Sequence, residues 1–327
     1  MTHHPVLVIV TVTYNSASFL SDFLDSLLAD DSVADGLRVY LIDNASSDET
    51  VVIARDYADR MDLVVIESGE NVGLAAGSNQ GISLALGAGA QWILLLNNDT
   101  VVPRGTLGGL VETATARDLS ILSPVIEEIP SHTVWYVGGS ITPRQGMKVR
   151  HQNIGDPMVP VDPGVRPTQY ASACCLLVHR DVYARIGGLD EDYFVYFEDV
   201  DFAIRAKAAG FGYWMTADQK ILHKASSCTG GYLSPFTIRW ISQNWVLTAR
   251  KHCPIPQRVF AMMYMQVWML ARMILRKDTP AQYLLRERSF IAGLRMPITS
   301  RHGNVPPIRS SASRHENAPP AKVGRPR

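Results

Sequence analysis

Short polar stretches recur along this chain where runs of apolar residues stop: Val12-Thr13-Tyr14-Asn15, Asp43-Asn44-Ala45-Ser46-Ser47-Asp48, Asn97-Asn98-Asp99, and Glu198-Asp199-Val200-Asp201 followed by His223. Two amides and a carboxylate at 97–99 offer hard oxygen ligands suited to Mg²⁺ or Mn²⁺, and one carboxylate suffices when substrate phosphates supply the other ligands. The sequence Phe194-Val-Tyr-Phe-Glu198-Asp199-Val200-Asp201 gathers three carboxylates inside an aromatic surround. Desolvation and mutual repulsion raise at least one of their pKa values, which prepares a general base. Asp201 stands four residues before Arg205 and reads as an intrahelical ion pair, which leaves Glu198 and Asp199 as the catalytic candidates. His223 reads either as a core histidine or, coming after two candidate sites, as an imidazole ligand for Mn²⁺.

Asp43 is placed to accept hydrogen bonds from the imide or ribose of a nucleotide, while Asn44, Ser46, Ser47 and Asp48 supply the tight turn and the next helix cap. A capping turn with no ligand is the competing reading. The stretch Asn71-Val-Gly73-Leu-Ala-Ala-Gly77-Ser-Asn79 follows the third strand and not the first, which separates it from a dinucleotide fingerprint. It reads as a small-residue helix start that lets a diphosphate-sugar lie close, with Asn79 facing the ligand, or as close packing of helix on sheet.

The elements that must position these groups follow from apolar periodicity. Continuous β-branched or apolar runs predict strands at Val6 to Thr13, Leu37 to Ile42, Leu63 to Ile66 and Trp92 to Leu96. Helical spacing predicts helices over Phe19 to Leu28, capped by Ser18, over Glu49 to Tyr57 and over Gly77 to Leu86. Strands alternating with helices indicate a parallel, doubly wound α/β sheet, whose carboxyl edge is where such folds bind nucleotides. From Ser131 to Gln169 glycine and proline break every period, which predicts loops and a hairpin over the sheet edge. Tyr170 to His179 reads as a further strand, and Val200 to Ala209 as a helix.

Beyond Gly231 tryptophan, methionine and arginine lie on long helical stretches. Val259 to Leu275 is almost wholly apolar, between Arg258 and Arg276-Lys277, yet shorter than the roughly 20 apolar residues of a spanning helix. An interfacial helix and plain packing, in a core or a dimer, are both open. The segment 297–327 has the proline, serine and arginine content of a disordered tail.

Lysine plus arginine (31) balance aspartate plus glutamate (31), so no global basic field recruits nucleic acid. Cys174, Cys175, Cys228 and Cys253 form neither a metal-type pair nor a disulfide framework, and the N-terminus lacks the pattern of a secretion signal. Both features suit a cytoplasmic protein with buried thiols.

The order and spacing of these pieces resemble the family-2 inverting glycosyltransferases of the GT-A nucleotide-diphospho-sugar fold, in particular the rhamnosyltransferase-like branch. The resemblance spans roughly Val6 to Trp245, and its most specific part is Gly187-Gly-Leu-Asp-Glu-Asp-Tyr-Phe-Val-Tyr-Phe-Glu-Asp-Val-Asp-Phe-Ala-Ile-Arg205, then Gly210 and His223-Lys224. It implies a catalytic domain over 1–230, with a nucleotide-binding half (1–100) and an acceptor half (101–230), followed by a helical extension over 231–296. It also implies that Asp43 contacts the nucleobase, and that Asp99 is the metal-binding member of an Asp-x-Asp motif whose first carboxylate is here Asn97. Asp199, beside Glu198, is then the base that deprotonates the acceptor, and His223 completes the metal and diphosphate site. Thr13, Asn15, Asn71, Gly73, Asn79, Asn97 and Asn98 would line the nucleotide-sugar site. The branch favours a dTDP-rhamnose donor, with UDP-galactofuranose or another UDP-sugar next. The apolar stretch Val259 to Leu275 points to a growing polysaccharide or lipid-linked saccharide at the inner membrane face as acceptor, and oligomeric state stays open. A nucleotidyltransferase lacks its lysine-ended loop here, a dinucleotide oxidoreductase lacks its glycine fingerprint after the first strand, and a non-catalytic nucleotide-sugar-binding subunit is opposed by the retained Glu198-Asp199 pair.

Overall fold

The computed structural model describes residues 6–158, 161–224 and 231–299. The readings of the first five residues, of Cys228 and of the tail from residue 300 lie outside these. The chain begins with β1 (Leu7–Thr13), α1 (Ala17–Ala29), β2 (Leu37–Asp43), α2 (Thr50–Ala58), β3 (Leu63–Glu67), α3 (Gly73–Gly87) and β4 (Trp92–Leu96). β1 pairs in parallel with β2 on one side and β4 on the other, and β2 with β3. Both β1 and β4 are buried almost throughout, which is why they read as unbroken apolar runs. Two helices start earlier than their apolar spacing suggests: Ser16, not Ser18, precedes α1, and α3 begins at Gly73, not Gly77.

The second half adds β5 (Thr100–Val101), α4 (Thr106–Ala116), β6 (Ile121–Glu128), β7 (Thr133–Tyr136), β8 (Gly139–Thr142), β9 (Lys148–His151), β10 (Val165–Thr168), β11 (Cys175–His179), α5 (Arg180–Ile186), α6 (Glu198–Ala208) and β12 (Tyr213–His223). The main sheet runs β3-β2-β1-β4-β11-β6-β12-β10, with β11 antiparallel to both its neighbours. β8 and β9 form a separate hairpin, within the segment where one was expected. The elements without a counterpart in the sequence reading include α4, α5 and the internal strand β6. β6 contains Pro124, which argues against an internal strand because it cannot donate to the ladder. The structure accommodates it at an irregularity, where the partner register on β12 jumps from Thr216 to Lys220 between Pro124 and Val125.

Strand order reverses at the β1/β4 boundary, since the chain winds outward through β2 and β3 and then returns to the other side of β1. Such a switch point opens a crevice at the strands' carboxyl ends. α3 lies unusually close to β1 beneath it. A Cβ on Gly81 would stand 2.4 Å from Val10 Cγ1, and one on Gly77 3.1 Å from Val12 Cγ1, so the packing reading holds for these two glycines. Gly73 differs: its φ is +86°, and a Cβ would fall 2.4 Å from the Phe194 carbonyl oxygen. Glycine there lets the start of α3 meet the loop that leads into α6.

The C-terminal helices α7 (Pro235–His252), α8 (Ile255–Ile274) and α9 (Pro280–Arg295) build a second core with the β8–β9 hairpin, through Met147, Trp245, Val246, Met265 and Phe290. α7 also grips the segment ahead of α6. Asn244 donates to the carbonyls of Val195 (2.8 Å) and Tyr196 (2.9 Å), Lys251 pairs with Asp190 and Asp192, and His252 meets Asp201 at 2.6 Å.

Candidate active site

A cleft of about 830 Å³ occupies the switch point, walled by the ends of β1 and β4, the start of α3, the hairpin strand β9, the 194–200 segment and α7. Thr13, Asn71, Gly73, Asn97, Asn98, Asp99, Glu198, Asp199 and His223 all line it. Asn15, Asp43 and Asn79 are not among its lining residues. Asp43 accepts from Thr13 Oγ1 (2.9 Å), from the Ser46 amide (2.8 Å) and from Ser46 Oγ (2.5 Å), so its carboxylate holds the turn that follows β2. Asn15, at φ +50°, bridges the same turn: its amide donates to Ser46 Oγ, and its Oδ1 accepts from the Ser47 amide at 2.8 Å. Asn44, read only as a turn residue, is the one that faces the cleft; its Nδ2 donates to the Gly73 carbonyl at 3.0 Å.

The expectation that Asn79 faces a ligand is corrected. Its Nδ2 donates to the Leu189 carbonyl (2.8 Å) and to Glu191 (2.9 Å), and its Oδ1 accepts from the Leu189 amide (2.8 Å). The side chain therefore ties α3 to the turn after α5. Asn71 caps the glycine turn by accepting from the Gly73 amide at 3.1 Å, and Asn98 locks the end of β4 to β1 by donating to the Val12 carbonyl at 2.6 Å.

Asp99 and His223 come together from β4 and β12, with Nε2 3.2 Å from Oδ1 and both side chains under a tenth exposed. The contact is not an aligned hydrogen bond, and both Asp99 Oδ1 and His223 Nδ1 lack hydrogen-bond partners. Trp135 stands edge-on to the imidazole, with centroids 4.7 Å apart. Among the described residues no group of three or more His, Cys, Asp or Glu side chains gathers to hold a metal ion. The pair still fits a divalent cation, because a buried carboxylate oxygen left without a donor, beside an imidazole, is the donor set such an ion accepts once phosphates complete the shell. Burial pushes the adjacent Cys174 thiol up, as befits an inert thiol.

Glu198 and Asp199 occupy the first turn of α6, directly after Tyr196 (φ +67°) and Phe197 (φ +73°). Two successive non-glycine residues in the left-handed region are strained, and the Asn244 clamp helps to hold them there. Asp199 Oδ2 accepts from Tyr170 Oη at 2.6 Å and from the Ala173 amide at 3.3 Å; Oδ1 accepts from the Val200 amide at 2.8 Å. Burial raises the Asp199 pKa, opposed first by the Tyr170 hydrogen bond. Burial and then the Asp199 charge push Glu198 well above the ordinary range, and its Oε2 has no partner. Of the two, Glu198 is pushed further toward its neutral form, while the hydrogen bonds to Asp199 favour the Asp199 anion. Asp201 turns away to Arg205 (2.6 Å), as its spacing indicated, and to His252.

Two residues of this carboxylate site escaped the sequence. Tyr170 lay hidden in an apolar run. His151, which feels the Asp199 charge, came from a stretch without periodicity. Asn44 Oδ1, Asp99 Oδ1, Glu198 Oε2 and His223 Nδ1 are buried, unpartnered polar atoms on residues that line one cleft, a pattern that marks a binding site.

Comparison with known proteins gives this cleft a context. The model of the family described as glycosyl transferase family 2 matches residues 8–187, ending before Glu198. An N-acetylglucosaminyl-diphospho-decaprenol L-rhamnosyltransferase of Mycobacterium tuberculosis is 30% identical over 69% of this chain and 78% of its own length. Among solved structures, S. aureus TarS 1-349 in complex with UDP-GlcNAc superposes with a TM-score of 0.57 at 14% identity, over 89% of this chain and 81% of its own. The mannosyltransferase PcManGT from Pyrobaculum calidifontis, in complex with GDP-Man and Mn²⁺, gives 0.55 at 16% identity, over 90% and 87%. These likenesses make the fold that of the GT-A glycosyltransferases, with added C-terminal helices.

Proposed function

The chain belongs to glycosyl transferase family 2, and from that premise we propose that it transfers L-rhamnose from dTDP-rhamnose to a saccharide carried on a lipid diphosphate, with inversion at the anomeric carbon. The observation that carries this reading is the Asp199 carboxylate, fixed by Tyr170 in the same cleft that Asp99 and His223 line. The relative whose name states a rhamnosyl transfer to a diphospho-decaprenol saccharide supports the choice of donor and acceptor.

In this account the nucleotide lies over the ends of β1 and β2. Thr13, Asn44, Asn71, Gly73, Asn97 and Asn98 supply its walls, while Asp43 and Asn15 act at one remove by holding the turn. Asp99 and His223 would hold Mg²⁺ or Mn²⁺. Such an ion, when bound, neutralises the charge that builds on the departing nucleoside diphosphate. Asp199 takes the proton of the acceptor hydroxyl as that oxygen attacks the anomeric carbon from the face opposite the leaving group. The sugar–phosphate C–O bond breaks with its electron pair leaving on the diphosphate. Glu198, protonated, spares the site a second negative charge. Tyr170 and the Val200 and Ala173 amides hold the carboxylate in one orientation, so the base needs no search at the moment of attack. The test is the linkage formed: NMR of the product shows an anomeric configuration opposite to the donor's, and a retained configuration would overturn the mechanism.

The acceptor's lipid would lie along α8, whose outer face exposes Val259, Met263, Val267 and Ile274 between the basic Arg258 and Arg276-Lys277. Among the described residues no helix is long and apolar enough to cross a membrane. An apolar stripe flanked by cations is the pattern of a helix lying in an anionic interface, and it would place the protein on the inner face of the membrane. We expect the protein to sediment with anionic liposomes and Met263→Glu/Val267→Glu to stay in the supernatant. Equal partition of both would remove this part of the reading.

A further inference from the structure

Lys148, on β9, has no role in the chemistry above and an unusual setting. Its Nζ lies 4.6 Å from the ring centroid of Trp268, 5.4 Å from Trp245 and 5.7 Å from Tyr264. Aromatic rings attract a cation but do not neutralise it. Among the described residues no carboxylate stands within ion-pair distance of Lys148 or of Arg150. The Arg150 guanidinium, beside the same cleft, donates to Gln145 Oε1 at 3.2 Å. The contrast is with Arg272 and Arg286, which stand 5.0 and 5.5 Å from the Trp268 ring and are both paired with Asp278. Burial, then the like charges of Arg150 and Arg272, lowers the Lys148 ammonium to about 8. A half-buried cation with a second cation beside it and no protein anion lacks the partner that normally accompanies burial.

We propose that Lys148 and Arg150 form a subsite for the diphosphate of the acceptor. This deepens the functional reading and rests on its acceptor clause. β9 carries His151, which feels the Asp199 charge, at one end and Lys148 at the other. Three residues of extended chain put these positions ~10 Å apart. Lys148 and Arg150 line the same cleft as Asp199, so a saccharide with its hydroxyl at Asp199 that runs along β9 would bring its anomeric end to the two cations. Trp268 then connects the subsite to α8, whose other face carries the exposed apolar stripe, so a lipid leaving the diphosphate meets that helix. The donor's own diphosphate belongs at Asp99 and His223, and dTDP or UDP occupying that place leaves the two cations of β9 for the acceptor.

The experiment is a titration of tryptophan fluorescence with farnesyl diphosphate and, separately, inorganic diphosphate, on the full chain with dTDP or UDP saturating the donor site. Both probes are expected to bind, the lipid form more tightly. Lys148→Met suits the aromatic surroundings, and circular dichroism and Tm check its fold. It should weaken both probes about tenfold to a hundredfold, the range for a lost hydrogen bond to a charged group. Lys148→Arg should keep most of the affinity. Tighter farnesyl diphosphate binding identifies a lipid-linked group, whereas equal affinities would mean a subsite for free phosphate and overturn the acceptor assignment. No binding by the parent, or equal Kd in Lys148→Met, would sink the subsite. An enzyme that transfers sugar yet ignores both probes refutes this proposal alone, while one that binds them and transfers nothing refutes the functional reading alone.

Discussion

Asp199→Asn folds like the parent and transfers sugar about 10² to 10⁴ times more slowly, the range for loss of a positioned general base. Its amide is nearly isosteric and cannot take a proton. The fold does not suffer, and the sign of the linkage says why. The Asp199 pKa is raised in the folded state by burial, so the native protein binds the proton more tightly than the unfolded chain does. Stability then falls as pH rises through the window between the unfolded and the folded pKa, and above it the ionised group is a net cost. Replacing it with a neutral amide removes that cost but turns an NH2 group toward a donor the carboxylate had accepted from, so Tm at neutral pH should stay close to the parent's. Activity has the opposite dependence. It needs the anion, and its acid limb lies above the ordinary carboxylate range. Tyr170→Phe removes the hydrogen bond that favours the anion, so the acid limb moves to higher pH. Near-parent turnover in Asp199→Asn, measured as kcat, would take Asp199 out of the role.

Asp99→Ala is the second large effect. Donor turnover should fall about 10³-fold, the several kcal/mol that a divalent cation contributes to a departing diphosphate. Chelation of the parent should match it, and adding chelator to Asp99→Ala should change little, because the same interaction is already gone. Binding gives an independent readout. Mn²⁺ affinity measured calorimetrically with nucleoside diphosphate present should drop in Asp99→Ala and in His223→Ala, since these two side chains meet in the cleft. Unaltered Mn²⁺ affinity in both variants would contradict the assignment.

Much of this site was legible because its parts stand where apolar runs end. Unbroken burial in β1 and β4 announces strands covered on both faces, and the polar residues that stop them must reach the sheet's edge. Glu198 and Asp199 stood out because their neighbour Asp201 had a helical partner and they had none. What stayed hidden depends on long-range packing. Asn79 sits on a helix whose rotation is set by Gly77 and Gly81 against β1, and that rotation aims its amide at Leu189. Tyr170 looked like one more apolar strand residue, because nothing local shows that its hydroxyl meets a carboxylate 29 positions away. β6 was masked by Pro124, which an irregular register makes tolerable only once β12 is in place. Lys148 lay in a stretch without periodicity, and its aromatic box comes from α7 and α8, about a hundred residues and more further along the chain.

The central claim, that this cleft splits a nucleotide-sugar donor, is tested most directly by release of nucleoside diphosphate. The measurement takes a panel of dTDP- and UDP-sugars with Mn²⁺ or Mg²⁺, then with chelator, beside Asp99→Ala. The account predicts release from one donor, dTDP-rhamnose first, that vanishes with chelator and in the variant. Release from no donor, with the acceptor saccharide supplied and nucleotide binding intact, would contradict it and leave a nucleotide-sugar binder that has kept the fold.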